Sequence, residues 1–423
     1  MSADNGIVLV HARQLLTCAG NGPRRGRAQS DAGLIEDGAV AAINGRLTFV
    51  GATARLPRNR GLTPQSRVID LDRRFSIIPG LVDAHTHAAF AGDRRGELRR
   101  RLAGETYAAI AAAGGGIVST VEATRNASEA ELVAAARARL DEMLACGTTT
   151  CEIKSGYGLT TESELRILRA VRTLSSSHPI SVVSTFMGAH EVPVEFRSAR
   201  EEYVKLVVDE MIPAVAAAGL AQWCDVFCEE GVFTPAESRR ILEAAATAGL
   251  KLRIHADELA PSGGAAVAAA VRARSADHLI FVSAEHIRLL ADAGTVATLL
   301  PIAAFYLKLG RYAPARELIA AGVPVALATD VNPGAGLSPS MPFAMALACF
   351  AMEMTFDEAL VAATINGAWS LDQADLVGSL AAGKLADAVI VEGDPINLVR
   401  VGVPAVRAVI KRGVVVHGSL PRQ

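Results

Sequence analysis

The sequence predicts an α/β fold, a (β/α)8 TIM-like barrel joined to a small β-sandwich that the N- and C-terminal segments form together. Three observations predict it. Between about residues 76 and 375, eight apolar, strand-like runs alternate with amphipathic helical runs, the order that a parallel sheet closed into a barrel requires. No G-x-G-x-x-G turn follows the first of these runs, which argues against an open dinucleotide-binding sheet. Both ends of the chain have another texture, of short strands and turns, and neither end alone holds enough strands for a sheet with a covered face.

Taken in order, the N-terminal segment gives IVLV, GAVAAI, RLTFVG and RVIDL. Asn44-Gly45 between the second and third is a hairpin signal, because both residues tolerate the positive φ of a tight turn. The barrel runs are SIIPGLVDA (76–84), TTTCEIK (148–154), SVVSTFMG (181–188), CDVFCE (224–229), LKLRIHA (250–256), ARSADHL (273–279), TVATLLP (295–301) and VPVALATD (323–330). Helical runs between them include 162–174 and 235–249. In the latter, Ile241, Leu242 and Ala245 share a face largely opposite Glu237, Arg240 and Glu243. Gly249 is placed to stop that helix. ADAVIVEGD, AVRAVIKRG and VVVHG then return to the sandwich texture. The expected division is 1–75 and 376–423 for the sandwich and 76–375 for the barrel.

With 51% hydrophobic but only 4% aromatic residues among 423, the core is filled mostly by Ala, Val, Leu and Ile, which suits helices packed closely on a parallel sheet. A net charge of −2 gives no electrostatic reason to bind nucleic acid or an acidic membrane. No apolar run approaches the roughly 20 residues that span a bilayer. The segment MSADNGIVLVHARQLL lacks the basic-then-apolar order of a secretory signal. A cytoplasmic enzyme acting on a small molecule is expected. The six cysteines form no framework; Cys224 and Cys228 lack the second pair of a zinc ribbon and read as buried thiols. Asn126-Ala127-Ser128 matches a glycosylation acceptor, which a cytoplasmic chain never presents to that machinery.

His85 and His87 in PGLVDAHTH, His255 in LKLRIHADE, His278 in SADHL and Asp330 in PVALATD fall at or just past the ends of strand runs. A parallel barrel gathers those ends on one face, where enzyme sites are built. Imidazole with carboxylate is the donor set for a divalent metal that keeps one position open for water. On a strand, residues i and i+2 point the same way, so His85 and His87 can reach one ion. His255 and Asp330 complete a set of three histidines and one aspartate. The fourth strand ends without the lysine that a second ion commonly needs in such barrels, so one metal is expected. Lys154, ending the second strand, reads as structural or ligand-facing. Hydrolysis also needs a proton shuttle. Glu258, three residues past His255, is the candidate base, and His278 beside Asp330 can polarise the water or the carbonyl. GGGI at 114–117 follows AAIAAA, not a strand, so it is not a phosphate loop.

PGLVDAHTH, HADE, ADHL and ATD together resemble the amidohydrolase superfamily, in its cyclic-amide and deaminase branches. GGGIVST (114–120), GTTTCEIKSGYGL (147–159), FMGAHEVPVEF (186–196), LLPIAAFYLK (299–308) and ATDVNPG (328–334) are similar to strings of one branch, the imidazolonepropionases. The resemblance runs from about residue 40 to residue 395. It implies one Zn2+ or Fe3+ per subunit, and a homodimer. The activity it implies is opening of the ring amide of 4-imidazolone-5-propionate to N-formimidoyl-L-glutamate. Its alternative is another cyclic-amide hydrolase, or an aminoimidazole or nucleobase deaminase on the same scaffold.

Position by position, the resemblance implies His85, His87, His255 and Asp330 as metal ligands, and the residues read above as catalytic, Glu258, His278 and Asp330, stand beside them. It implies Arg94, Tyr157, His190, Glu258, Asn332, Gly334 and Ala335 as substrate contacts. Arg94 would clamp the propionate bidentately, and Tyr157 would donate a hydrogen bond from a glycine-flanked loop. His190 would bond the ring carbonyl, while Asn332 and the Gly334 backbone would read the ligand's polar atoms. Three positions depart from the usual pattern: Ile302 in place of glycine, Ala335 in place of serine or threonine, and Val194 in place of a frequent proline. The missing hydroxyl at position 335 is expected to weaken one ligand contact by roughly 0.5–1.5 kcal/mol.

Overall fold

The structure, a computed structural model, describes residues 6–20, 22–57, 66–105, 109–110 and 113–421. The first five residues and part of the AAIAAA run before GGGI lie outside the described residues. The N-terminal segment forms β1 (Ile7–Leu16), β2 (Leu34–Ile43), β3 (Arg46–Ala52), β4 (Arg67–Asp70) and β5 (Phe75–Pro79). Asn44 and Gly45 make the two-residue turn between β2 and β3, with φ of 51° and 78°. The barrel strands are β6 (Leu81–Asp83), β7 (Thr148–Lys154), β8 (Ser181–Ala189), β9 (Trp223–Cys228), β10 (Lys251–Ala256), β11 (Ser275–His278), β12 (Val296–Leu299) and β13 (Val325–Leu327). The C-terminal segment adds β14 (Ala388–Glu392), β15 (Val406–Lys411) and β16 (Val414–Gly418).

The two ends of the chain meet in one sheet of order β16-β15-β14-β5-β1-β2-β3, with β4 paired to β1. Leu9, Val40, Ile77, Ile390 and Ile410 from both ends share one core. The join is direct, because β14 pairs antiparallel with β5, the strand that leads into the barrel.

The run SIIPGLVDA therefore makes two strands where the sequence suggests one. Phe75–Pro79 belongs to the terminal sheet and Leu81–Asp83 opens the barrel. Gly80 is the joint: a Cβ there would lie 2.2 Å from Thr149 Oγ1, so only glycine lets the chain pass this close to β7.

β6 to β13 follow one another in order around the barrel, every neighbouring pair parallel. Strands covered on both faces must be buried throughout, and all of Thr148–Lys154 is. Backbone bonds beyond the strand ends close the ring: the Asp330 N–H donates to the His85 carbonyl at 3.1 Å, and the His87 N–H to the Val331 carbonyl at 3.0 Å. Helices lie between the strands, among them Thr161–Ser177 and Pro235–Thr247. The second begins at a reciprocal cap between Thr234 and Glu237 with Pro235 in its first turn. It ends where Gly249 takes φ of 86°, as its sequence suggests. No helix among the described residues is long and apolar enough to cross a membrane.

Candidate active site

The barrel brings the five singled-out groups to one end. His255 lies on β10 and His278 is the last residue of β11. His85 and His87 lie just past β6, not on it, and Asp330 follows β13. Two of these positions have uncommon backbone, with φ of 73° at His278 and 54° at Asp330. Such conformations cost free energy and collect at functional sites.

One nitrogen from each of His85, His87 and His255 comes within 4.8 Å of the others, as do ligand atoms of His85, His278 and Asp330. His87 Nε2 and His255 Nε2 face each other at 3.2 Å. Asp330 Oδ1 is 3.5 Å from Nε2 of both His85 and His87. His85 Nε2 has no hydrogen-bond partner among the described residues. Burial pushes the pKa of His85 and His87 well below the ordinary value, which keeps their lone pairs available. Asp330 is pushed well above its ordinary range, first by burial and then by Glu258. Three imidazoles and a carboxylate in want of a counter-charge are the donor set that a divalent metal satisfies, so these residues fit such an ion.

Carboxylates behind the histidines fix their orientation. His85 Nδ1 is 2.7 Å from Asp277 Oδ2, and His255 Nδ1 is 3.0 Å from Asp225 Oδ1, leaving Nε2 of each to face the cluster. Lys154 is the structural group that its position allows. It is fully buried, with Nζ 2.7 Å from both Glu152 Oε1 and Asp225 Oδ2. Arg253, also buried, reaches Asp277 Oδ2 at 3.2 Å. Sequence reading missed Asp225, Asp277 and Arg253. Their signal was there, as charged residues set inside otherwise apolar strands that must be buried.

Over the cluster opens a cavity of about 400 Å³, lined by Arg94, Tyr157, His190, Glu258, Asn332, Gly334 and Ala335 together with His87, His255, His278 and Asp330. Glu258 is buried, and burial, followed by the Glu229 carboxylate, pushes it up to about 8. Glu229 accepts the N–H groups of Glu258 and Leu259, both at 2.9 Å. Oε1 of Glu258 stands 3.6 Å from His278 Nδ1.

The surrounding loops change several expected contacts. Glu97 takes one edge of Arg94, with Oε2 2.9 Å from Nε and 2.8 Å from Nη2, and its Oε1 accepts the Gly116 N–H at 2.8 Å. GGGI thus anchors the partner of an arginine. The Asn332 amide is engaged within its own loop: Nδ2 donates to the Asp330 carbonyl at 2.7 Å, while Oδ1 accepts the Gly334 and Ala335 N–H groups at 2.8 and 2.6 Å. Arg101 Nη2 donates to the Gly334 carbonyl at 2.6 Å. The Asn332 amide and the Gly334 N–H therefore brace the loop at the cavity wall. A Cβ at position 334 would lie 2.6 Å from Arg94 Nη1, so a larger residue there would push that guanidinium aside.

His190 stacks on His87 with ring centroids 4.8 Å apart. Its Nδ1 lies 3.0 Å from the Gly156 carbonyl. A carbonyl only accepts, so Nδ1 carries the proton. Burial pushes the ring down to about 3. Nε2 is then an acceptor, suited to a ligand N–H and not to a ring carbonyl.

The model of the amidohydrolase family matches residues 76–418. The imidazolonepropionase of Symbiobacterium thermophilum is 51% identical over 425 residues, covering 99% of each chain. That of Geobacillus kaustophilus is 50% identical over 382 residues, covering 90% of each. The chain belongs to the amidohydrolase family, in its imidazolonepropionase branch. Among solved structures, a triazine hydrolase variant superposes with a TM-score of 0.76 at 19% identity, covering 98% of this chain and 95% of its own. Ochratoxinase of A. niger gives 0.70 at 19% identity, covering 99% and 97%. At that identity the likeness shows the fold.

Within this amidohydrolase barrel the three departures separate. Ile302 is buried on the helix Pro301–Leu307, outside the cavity lining, and Val194 is exposed on a short 3-10 turn. Only Ala335 faces the cavity. Ala335→Ser is expected to lower KM about 2- to 10-fold, the range of one added hydrogen bond. Steady-state kinetics of the variant would show this. An unchanged KM would mean that the ligand offers nothing to that wall.

Proposed function

We propose that the chain hydrolyses the ring amide C–N bond of 4-imidazolone-5-propionate, giving N-formimidoyl-L-glutamate in histidine degradation. The observation that carries this reading is that all seven residues matched as substrate contacts line one cavity, above a cluster of three histidines and an aspartate. Relatives about half identical over nearly the whole chain bear the imidazolonepropionase name. The catalytic unit in this reading begins at Gly80, not at 76, because β5 belongs to the terminal sheet; it runs to about residue 375 and is supported by the two ends of the chain. A homodimer belongs to it through the resemblance, and the cytoplasm as the expected compartment of such an enzyme.

His85, His87, His255 and Asp330 would hold one Zn2+ or Fe3+. When bound, that ion supplies Lewis acidity and an activated water. Arg94 binds the propionate, presented by Glu97 along one edge of its guanidinium. His190, as the Nδ1–H tautomer, accepts a ring N–H. Tyr157, buried against His87 and His190, donates to the ligand and bounds it on that side. Glu258 takes the proton from the attacking water, then delivers it to the departing ring nitrogen. A carboxyl that burial holds near 8 carries a proton in both directions near neutral pH. His278, neutral and 3.6 Å from Glu258, donates to the developing oxyanion.

The test is the ultraviolet absorbance of 4-imidazolone-5-propionate made fresh from urocanate. Zinc-loaded protein is expected to accelerate its decay far above the spontaneous rate, and a chelator to abolish the acceleration. A folded, metal-loaded sample that gave no acceleration would overturn the reading.

A further inference from the structure

The loop that carries Tyr157 runs from the end of β7 to the helix Thr161–Ser177. Its backbone N–H groups are gathered by a side chain outside the cavity. Glu164, in the first turn of that helix, is fully buried. Its Oε2 accepts the Gly156 N–H at 2.9 Å, and its Oε1 accepts those of Gly158 and Leu159 at 2.7 and 2.8 Å. One carboxylate thus satisfies three donors that no strand or helix takes up. The loop is shaped for it. Leu159 takes φ of 54°, and a Cβ on Gly158 would lie 2.7 Å from the Glu164 nitrogen.

The same hold reaches further. Gly156, gripped through its N–H, offers its carbonyl to His190 Nδ1. The ring packs so closely that a Cβ on Gly156 would meet Nδ1 at 2.9 Å. The next residue is Tyr157, whose ring centroid is 5.1 Å from that of His190. One carboxylate therefore governs two groups on the cavity wall, through a single glycine.

We propose that Glu164 is a positioning residue that fixes Tyr157 and His190 together in the arrangement that meets the substrate. The proposal rests on the reading that those two residues contact the substrate. A buried staple that served the fold alone would leave turnover by the folded variant unchanged.

Glu164→Gln keeps the shape but sets an amide NH2 against one of the three N–H donors. Metal content is expected to stay as in the unaltered enzyme. kcat/KM is expected to fall about 10- to 100-fold, as displacements near 1 Å do. In a His190→Asn background the same change should cost clearly less than in the unaltered enzyme, because only the share that passes through Tyr157 remains. If His190→Asn alone costs nothing, the reading of that contact fails. If His190→Asn is costly while Glu164→Gln is harmless, or costs as much again in the double variant, the proposal is overturned. Should Glu164→Gln not fold, hydrogen exchange of the unaltered protein decides. Amides of Gly156, Gly158 and Leu159 protected like those of β7 support the clamp, and freely exchanging ones overturn it.

Discussion

Glu258→Gln is expected to lower kcat by about 10²- to 10⁴-fold, the range that one positioned acid–base group contributes, while leaving the metal bound and the barrel folded. The same substitution has a second, opposite effect. Burial and Glu229 raise this carboxyl from 4.5 in the open chain to about 8 in the fold. For an acid whose folded pKa is raised, the ionised form is the one the fold disfavours. The penalty is absent below about 4.5 and grows until pH passes 8. Metal-free Glu258→Gln should therefore come close to the unaltered protein in stability at about pH 4. At pH 8 it should exceed it by roughly 2–4 kcal/mol, less than the full shift implies because a buried site relaxes. Thermal melts at the two pH values, with turnover in parallel, give the result. A variant that kept its rate would remove Glu258 as the base, and one with no pH-dependent gain would remove the cost of its burial.

Lys154→Met acts where no ligand reaches. It leaves Glu152 and Asp225 facing each other, fully buried, without the ammonium that sits 2.7 Å from each. Burial works against that ammonium, yet Asp225 and Glu152 hold its pKa above the ordinary value. Removing one partner of a buried ion pair costs about 3–5 kcal/mol, because the charge left behind has lost both water and partner. Metal affinity is expected to fall about 10- to 100-fold as well, since Asp225 orients His255. Adding Glu152→Gln to Lys154→Met should recover part of the stability. Urea unfolding and a metal-competition titration on the three proteins measure both effects. A single variant as stable as the parent would show that the buried charges had found water.

How much of this was legible depends on where each group sits. His85, His87, His255 and Asp330 could be read because strand ends are marked by a change from apolar to polar residues, and a parallel barrel sends all those ends to one side. The number and order of the strands were legible for the same reason. The division of SIIPGLVDA at Gly80 was not, since its sign is a 2.2 Å approach to Thr149, a neighbour nearly 70 residues away. The carboxylates behind the histidines escaped because an isolated charge in a strand gives no hint of its partner. Asp225 and Lys154 are separated by 71 residues yet share a hydrogen bond. Asn332 was assigned to the ligand through the resemblance. The bonds that its amide makes within its own loop could not be read from the sequence, because they depend on how that loop turns.

The seam that closes the barrel has a consequence for synthesis. His85 and His87 belong to the first strand's exit, Asp330 to the last, and two backbone bonds link those segments. A growing chain can form helices and pair its early barrel strands, but it has no complete donor set until Asp330 has left the ribosome and the ring has closed. The contact that closes the ring is then also the one that makes the protein competent. A half-made chain offers only stray histidines to passing metal ions, and hydrolysis begins only with a finished barrel.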